Sequence, residues 1–243
     1  MQCWGLTDPG CVRPQNQDAF RIETLDKNTM LCVVCDGMGG AKSGNIASQL
    51  AVDVFTQAIK DSWKTSMDDE ALEQMIRSAV KLTNFTVYDQ SQQFEEFAGM
   101  GTTLVAALIS GRRAVIVNVG DSRAYHLDGD GVKQLTVDHS LVQMMLDRGE
   151  LTPEEARDYP GKNLITRAIG TESSVMCDIF YKHVSRGNCL LLCTDGLSNM
   201  IDEQEILFEV VHGLDKSKCC GRLLDIAKKR GAPDNVTSVL VVI

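Results

Sequence analysis

Apolar residues along the chain follow two periods. Nearly continuous apolar runs of strand length occupy Leu31 to Cys35, Gly101 to Ile109, Ala114 to Val119, Cys189 to Cys193 and Val236 to Ile243, the pattern of strands buried on both faces. Cys3 to Thr7, Ala19 to Leu25 and Ala124 to Leu127 read as further strands. Two long stretches instead repeat at helical spacing. From Ser43, the positions Ile46, Ala47, Leu50, Ala51, Val54, Phe55, Ala58 and Ile59 recur three and four apart; over residues 69 to 93, Leu72, Met75, Ile76, Ala79, Val80, Thr83 and Val87 share one face. Ser110-Gly111-Arg112 and Gly120-Asp121-Ser122-Arg123 join three consecutive strands into what reads as an antiparallel meander. Asp128-Gly129-Asp130-Gly131 reads as a tight hairpin connection without chemistry.

The second half is punctuated by helix signals. Asp138 is placed to cap a short helix running to Gly149, and Thr152-Pro-Glu-Glu155 combines a Thr cap, Pro at the first position and Glu at the third. Asp202 and Glu205 form a capping pair for a helix that Gly213 closes, and a last helix covers about residues 216 to 230. The polar, irregular stretch at about residues 141 to 162 is a candidate flap over a site.

Strands and helices intermixed along 243 residues predict an α+β fold, and no linker, charge block or repeat interrupts residues 1 to 243, which read as a single domain. A net charge of −9 without clustered Lys and Arg argues against a nucleic-acid partner. No apolar stretch approaches the length of a membrane span, so no membrane partner is expected. The Met-Gln-Cys-Trp-Gly start lacks a leader pattern, and the nine cysteines are an odd number, several within apolar runs (Cys32, Cys35, Cys189, Cys193). Reduced, buried thiols in a cytoplasmic protein are the expectation. Cys32 and Cys35 have metal-like spacing, but they lie inside a strand and no second pair accompanies them.

Candidate chemistry centres on residues 31 to 48. There an apolar run ends in Asp36, breaks at Gly37, Gly39 and Gly40, and restarts as a helix, so a carboxylate and a backbone carbonyl both become available to a ligand. Asp-Gly alone is a common hairpin signal; its repetition carries the argument. Cys189 to Cys193 is followed by Thr194-Asp195-Gly196, Asp121 ends another apolar run, and Asp18 and Asp234 each precede one. If the last two strands run antiparallel, the ends bearing Asp195 and Asp234 meet. Carboxylates gathered this way repel one another, and divalent cations relieve that repulsion. A set of carboxylates, a carbonyl and water, without His or Cys, suits Mg²⁺ or Mn²⁺ rather than zinc. Two such ions about 4 Å apart can hold a water, lower its pKa and align it for attack on phosphorus. Arg13 either forms a surface pair with Asp18 or grips a phosphate with its planar fork.

Six segments in order now resemble a known family: Arg13-x-x-Asn-x-Asp18, Asp36-Gly-Met-Gly-Gly40, Gly101-Thr-Thr, Gly120-Asp-Ser-Arg123, Thr194-Asp-Gly196 and Asp234-Asn235. They are similar to the metal-dependent serine/threonine phosphatases of the protein phosphatase 2C type, in particular the bacterial branch with Met after Asp-Gly. The resemblance implies an α-β-β-α sandwich, two central antiparallel sheets flanked by helices, with two or three Mn²⁺ or Mg²⁺ ions in a cleft at one end. It implies Asp36, Asp195 and Asp234 as direct ligands, the Gly37 carbonyl on one ion, Asp18 acting mainly through water, and Asp121 with Asp195 at a third ion. Arg13 would hold the substrate phosphate, a metal-bridging hydroxide would attack it, and no phosphoenzyme would form. Phosphorylated proteins would be the substrates and a serine/threonine protein kinase the opposing partner.

The chain departs from the family pattern at four positions. Gln17 stands where members carry Glu, which predicts weaker metal affinity. Ala41 and Asn45 stand where many bacterial members have His and Glu, and Met38 where eukaryotic relatives have His. The general acid is therefore unassigned. His139, isolated in Asp-His-Ser, is a conceivable substitute but more readily structural. The competing classes are a phosphatase-like regulator that binds phosphoproteins with little or no turnover, and a hydrolase of small phosphorylated molecules.

Overall fold

A computed structural model describes residues 1–40, 43–157 and 159–243. Strands β1 (Gln2–Asp8), β2 (Asp18–Asp26) and β3 (Thr29–Met38) lead into helices α1 (Gly44–Ser62) and α2 (Asp69–Gln93). Five strands follow: β4 (Gly101–Thr102), β5 (Leu104–Ser110), β6 (Arg113–Val119), β7 (Arg123–Asp128) and β8 (Gly131–Gln134). Short helices α3 (Leu141–Asp147) and α4 (Pro153–Arg157) precede β9 (Asp178–His183) and β10 (Cys189–Cys193). The chain ends with α5 (Asp195–Ser198), α6 (Glu203–His212), α7 (Cys219–Lys229) and β11 (Val236–Val242).

The strands form two antiparallel sheets, ordered β1-β11-β10-β7-β8 and β2-β3-β5-β6-β9, with β4 paired to β3. Alternation along each strand explains the stacking. Cys32, Val34, Val105, Ala107, Leu190, Leu192, Val239 and Val241 interleave between the sheets. Their neighbours Leu31, Val33, Cys35, Ala106 and Leu108 face the other way, against Ala47, Ala51, Phe55, Ile76 and Val80 of α1 and α2. On the far side Leu191, Cys193 and Leu240 pack on Ile206, Val210, Leu223 and Ala227 of α6 and α7. Strands buried on both faces need no polar alternation, which is why their sequences read as unbroken apolar runs. The result is the α-β-β-α sandwich expected from the motifs.

Helix α2 has the bounds read from its periodicity, and Asp128↔Gly131 closes the two-residue hairpin between β7 and β8. Three local expectations change. The meander does not form: β5 and β6 make a hairpin, but β6 goes on to pair with β9 while β7 pairs with β10 and β8. Gly120-Asp121-Ser122 is thus a crossover from one sheet to the other. The cap of α3 is Ser140, whose hydroxyl accepts the Gln143 N–H at 3.1 Å, because Asp138 is engaged by Arg123. Strand β3 does not break at Gly37 but continues through Met38, pairing with β4. Strand β9 gave no signal because, as a sheet edge, it carries mixed residues with no apolar run. No helix among the described residues is long and apolar enough to cross a membrane. All nine cysteines are free thiols.

Candidate functional site

The register of β2 on β3 sets Asp18 opposite Asp36, and directly opposed residues share a face of the sheet. Asp36 is held by its backbone: its N–H donates to Thr103 Oγ1 at 2.9 Å, and its carbonyl accepts the Thr102 hydroxyl at 2.9 Å and the Thr103 N–H at 2.9 Å. The Thr103 hydroxyl pairs at 2.7 Å with Ser122, beside Asp121 in the crossover. Gly-Thr-Thr therefore links the turn bearing Asp121 to the strand bearing Asp36. Gly37 follows because a Cβ there would lie 2.0 Å from the Gly44 carbonyl oxygen, where α1 starts.

The other sheet contributes from its strand ends. Thr194 N–H donates to the Thr237 carbonyl at 3.1 Å, extending the β10–β11 ladder and bringing Asp195 and Asp234 to the same edge. Asn235, buried beside Asp234, clips the β1–β2 loop to this edge. Its Oδ1 accepts the Gln17 N–H at 2.8 Å, and its Nδ2 donates to the carbonyls of Pro9 at 3.0 Å and Gln15 at 2.9 Å. Asn16, in that loop, donates to Thr7 Oγ1 at 2.7 Å and accepts the Asp18 N–H at 3.1 Å. Arg13 in the same loop does not pair with Asp18; its Nη2 donates to Asp234 Oδ2 at 2.8 Å.

Asp36, Asp121, Asp195 and Asp234 line a cavity of about 290 Å³, with Arg13, Gln17, Gly37 and Met38 also on its wall. Asp18 lies behind the wall, only 8% exposed. Its Oδ2 accepts the hydroxyls of Thr194 at 2.9 Å and Thr237 at 2.7 Å, whereas its Oδ1 is buried with no hydrogen-bond partner among the described residues. Desolvation pushes the Asp18 carboxyl up to about 7 against the pull of the two hydroxyls. The same cause pushes Asp121 up to about 7, with Asp195 and Asp138 adding repulsion. Asp36 is driven well above the carboxylate range by desolvation and then by the charges of Asp18, Asp195, Asp121 and Asp234. Asp195 is raised by desolvation and by Asp234, while a hydrogen bond from Asp36 and another from Asn199 Nδ2, at 3.0 Å, pull it down.

Carboxylates from separate elements, mutually repelled, with one oxygen orphaned beside them, fit divalent cations. Among the described residues no three Asp, Glu, His or Cys side chains close on one point as a cage would. Such an open set suits an ion that keeps several waters, as Mg²⁺ and similar hard cations do, and a wall lined by carboxylates with no His or Cys among its described residues points the same way.

Two cavity residues escaped the sequence reading, Asn163 and Ile165. They follow the flap candidate in an irregular stretch held by two isolated bridges, Ser140↔Ile165 and Thr102↔Ile169, so no periodicity marks them. Asn199, the partner of Asp195, also lines a larger cavity of about 580 Å³ between α3, α4 and α6. His139 is not on the wall of the aspartate cavity; it is buried and hydrogen-bonded through both ring nitrogens. Ala41, where relatives carry His, lies outside the described residues.

An aspartate-lined cleft beside an arginine, at the shared end of two stacked antiparallel sheets, has the layout of a metal-dependent phosphohydrolase. The chain belongs to the protein phosphatase 2C family, whose model matches residues 14–222. It is 37% identical over 239 residues to the serine/threonine phosphatase stp of Listeria innocua, covering 97% of this chain and 93% of that one. It is 35% identical over 236 residues to protein phosphatase PhpP of Streptococcus pneumoniae, covering 97% and 95%. Among solved structures, serine/threonine phosphatase Stp1 from Staphylococcus aureus superposes with a TM-score of 0.93 at 36% identity, covering 100% of this chain and 94% of that chain. The catalytic domain of the phosphatase PstP in complex with two manganese ions superposes with a TM-score of 0.84 at 32% identity, covering 98% and 96%.

Proposed function

We propose that this protein hydrolyses phosphoserine and phosphothreonine esters in other proteins, using Mn²⁺ or Mg²⁺, and so reverses the action of a serine/threonine protein kinase. The observation that carries the reading is the aspartate cavity: carboxylates from both sheets meet on a wall whose one cationic side chain among the described residues is Arg13, and the partial relief that Arg123 gives Asp121 and Asp195 leaves both raised. Asp36, Asp195 and Asp234 are the residues to hold two ions, with the Gly37 carbonyl beside them; Asp121 and Asp195 are the pair for a third. When bound, such ions supply Lewis-acid charge and an activated water for attack on phosphorus. Asp18, behind the wall with a free Oδ1, fits a role through water.

Arg13 is more than half exposed, at 54%, and its fork holds a phosphate next to the carboxylates. One of its N–H groups is engaged by Asp234, so cations at Asp234 would compete for that carboxylate and release the arginine toward substrate. The stretch at about residues 141 to 162 would be the flap of a single catalytic domain spanning residues 1 to 243, a reading supported by Asn163 and Ile165, just past it, lining the cavity. The larger cavity reached past Asn199 gives the polypeptide around the phosphorylated residue a surface to rest on. Buried free thiols suit a reducing cytoplasm. The inactive-regulator reading loses ground because all five aspartates are retained and their relatives carry the names of phosphatases.

Phosphate release from a phosphothreonine peptide, measured with Mn²⁺, with Mg²⁺ and with EDTA, tests the proposal. Turnover that needs the ion and exceeds that on nucleotides and sugar phosphates is expected. Folded protein releasing nothing under either ion would overturn it.

A further inference from the structure

The crossover that carries Asp121 is gripped by a residue to which the reading above assigns no task. Gly120 precedes Asp121 in the left-handed region, φ +105°, and a Cβ on it would lie 2.6 Å from Thr103 Cγ2. A residue that must be glycine has no side chain with which to fix its own turn. His139 fixes it from outside: the His139 N–H donates to the Gly120 carbonyl at 3.0 Å, and the Gly120 N–H donates to His139 Nδ1 at 3.0 Å. Asn118 Nδ2 adds a bond to the Gly120 carbonyl at 3.1 Å and one to the Val137 carbonyl at 3.0 Å.

Because Nδ1 accepts, the neutral ring carries its proton on Nε2. Nε2 lies 3.1 Å from Asp178 Oδ2 and 3.0 Å from Arg167 Nη1; with its proton in place Nε2 offers the arginine no lone pair, so Asp178 receives that proton's hydrogen bond and Arg167 Nη1 donates to Asp178 Oδ1 at 3.0 Å. The His139 carbonyl accepts the Thr166 N–H at 2.8 Å, tying in the stretch that brings Asn163 and Ile165 to the cavity wall. One buried ring thus joins the Asp121 turn, the start of β9 and the return of the chain over the site.

We infer that His139 is a positioning residue: its Nδ1, held in one tautomer by Asp178, fixes the Gly120–Asp121 turn so that the Asp121 carboxylate meets the ion it shares with Asp195. The inference rests on the cation reading of the cavity. Groups behind metal ligands commonly control affinity by about 10- to 100-fold, which sets the size of the effect.

Mn²⁺ titration calorimetry of the whole protein, with melting curves as the folding control and kcat and KM for a phosphothreonine peptide, tests it. In His139→Gln the amide can still face Asp178 but nothing accepts from Gly120; the weakest Mn²⁺ site should lose affinity by about 10- to 100-fold, and kcat should fall at unchanged KM. In His139→Asn the amide oxygen takes the place of Nδ1, and affinity should return toward that of the parent. Asp178→Ala, at a half-exposed strand end, frees Nε2 to accept from Arg167, moves the ring proton to Nδ1 and should weaken the same site without touching the core. Parent-like titration of both His139→Gln and Asp178→Ala, while Asp121→Asn loses a site, would overturn the clamp and leave the cation reading standing. Parent-like titration of Asp121→Asn would overturn the premise and the clamp together.

Discussion

At the residue scale, the aspartates of the cavity work against the stability of the ion-free chain. Asp36 is the centre of that strain, desolvated and facing four other carboxylates. Asp36→Asn keeps the shape and the backbone bonds to Thr102 and Thr103 but removes the cost of burying an ionisable carboxyl among four others. Turnover is expected to fall by on the order of a hundredfold or more, while the melting temperature in EDTA rises, since functional sites store such strain. Loss of both activity and ion-free stability would point instead to a structural role for Asp36. The sequence identified these carboxylates because each flanks an apolar run. It did not identify the partner of Arg13: Asp234 lies 221 positions away, and only the folded edge joins them.

At the scale of elements, the site is a seam between sheets, and short polar clips close it. Asn235 satisfies three backbone groups, the Gln17 N–H and the carbonyls of Pro9 and Gln15. Asn235→Ala would strand all three near a buried position, at about 1 to 3 kcal/mol of stability for each group left unpaired. Urea denaturation in EDTA should show a loss of at least about 1 kcal/mol, accompanied by weaker Mn²⁺ binding; an unchanged midpoint would mean the loop is held by other contacts. Helices were the most legible elements, because 3.6-residue periodicity is local and α2 buries every apolar position assigned to it. Strand pairing was less legible. A hairpin signal predicts adjacency, but β6 and β7 part at Gly120 and each pairs in a different sheet, with β9 and β10 respectively. That parting is what sets Asp121 between the sheets.

At the scale of the molecule, protons and cations compete for one cluster. Asp18 and Asp121 are both raised to about 7 by desolvation and neighbouring carboxylates, against about 3.9 for an unfolded aspartate. A raised folded-state value means that their contribution to stability is complete below the unfolded value and is lost as pH climbs through about 7. Divalent cations bind the ionised forms, so the gain in melting temperature from Mn²⁺ should be larger at about pH 8 than at about pH 5.5. Melting curves with and without Mn²⁺ at the two values check this, and an equal gain would mean that the aspartates are not the groups the ion engages.

The sequence by itself determined the periods, the two helices, the apolar strands and the residues with chemistry to offer, because these depend on neighbours along the chain and on the donor types present. The tertiary structure decided which strands pair, which carboxylates share a cavity and which lies behind it, why Asn235 and His139 are polar and yet buried, and where Asn163 and Ile165 come to rest. Those outcomes depend on contacts between residues far apart in the chain. An apolar run states that a strand is buried, but it carries no record of the partner that buries it.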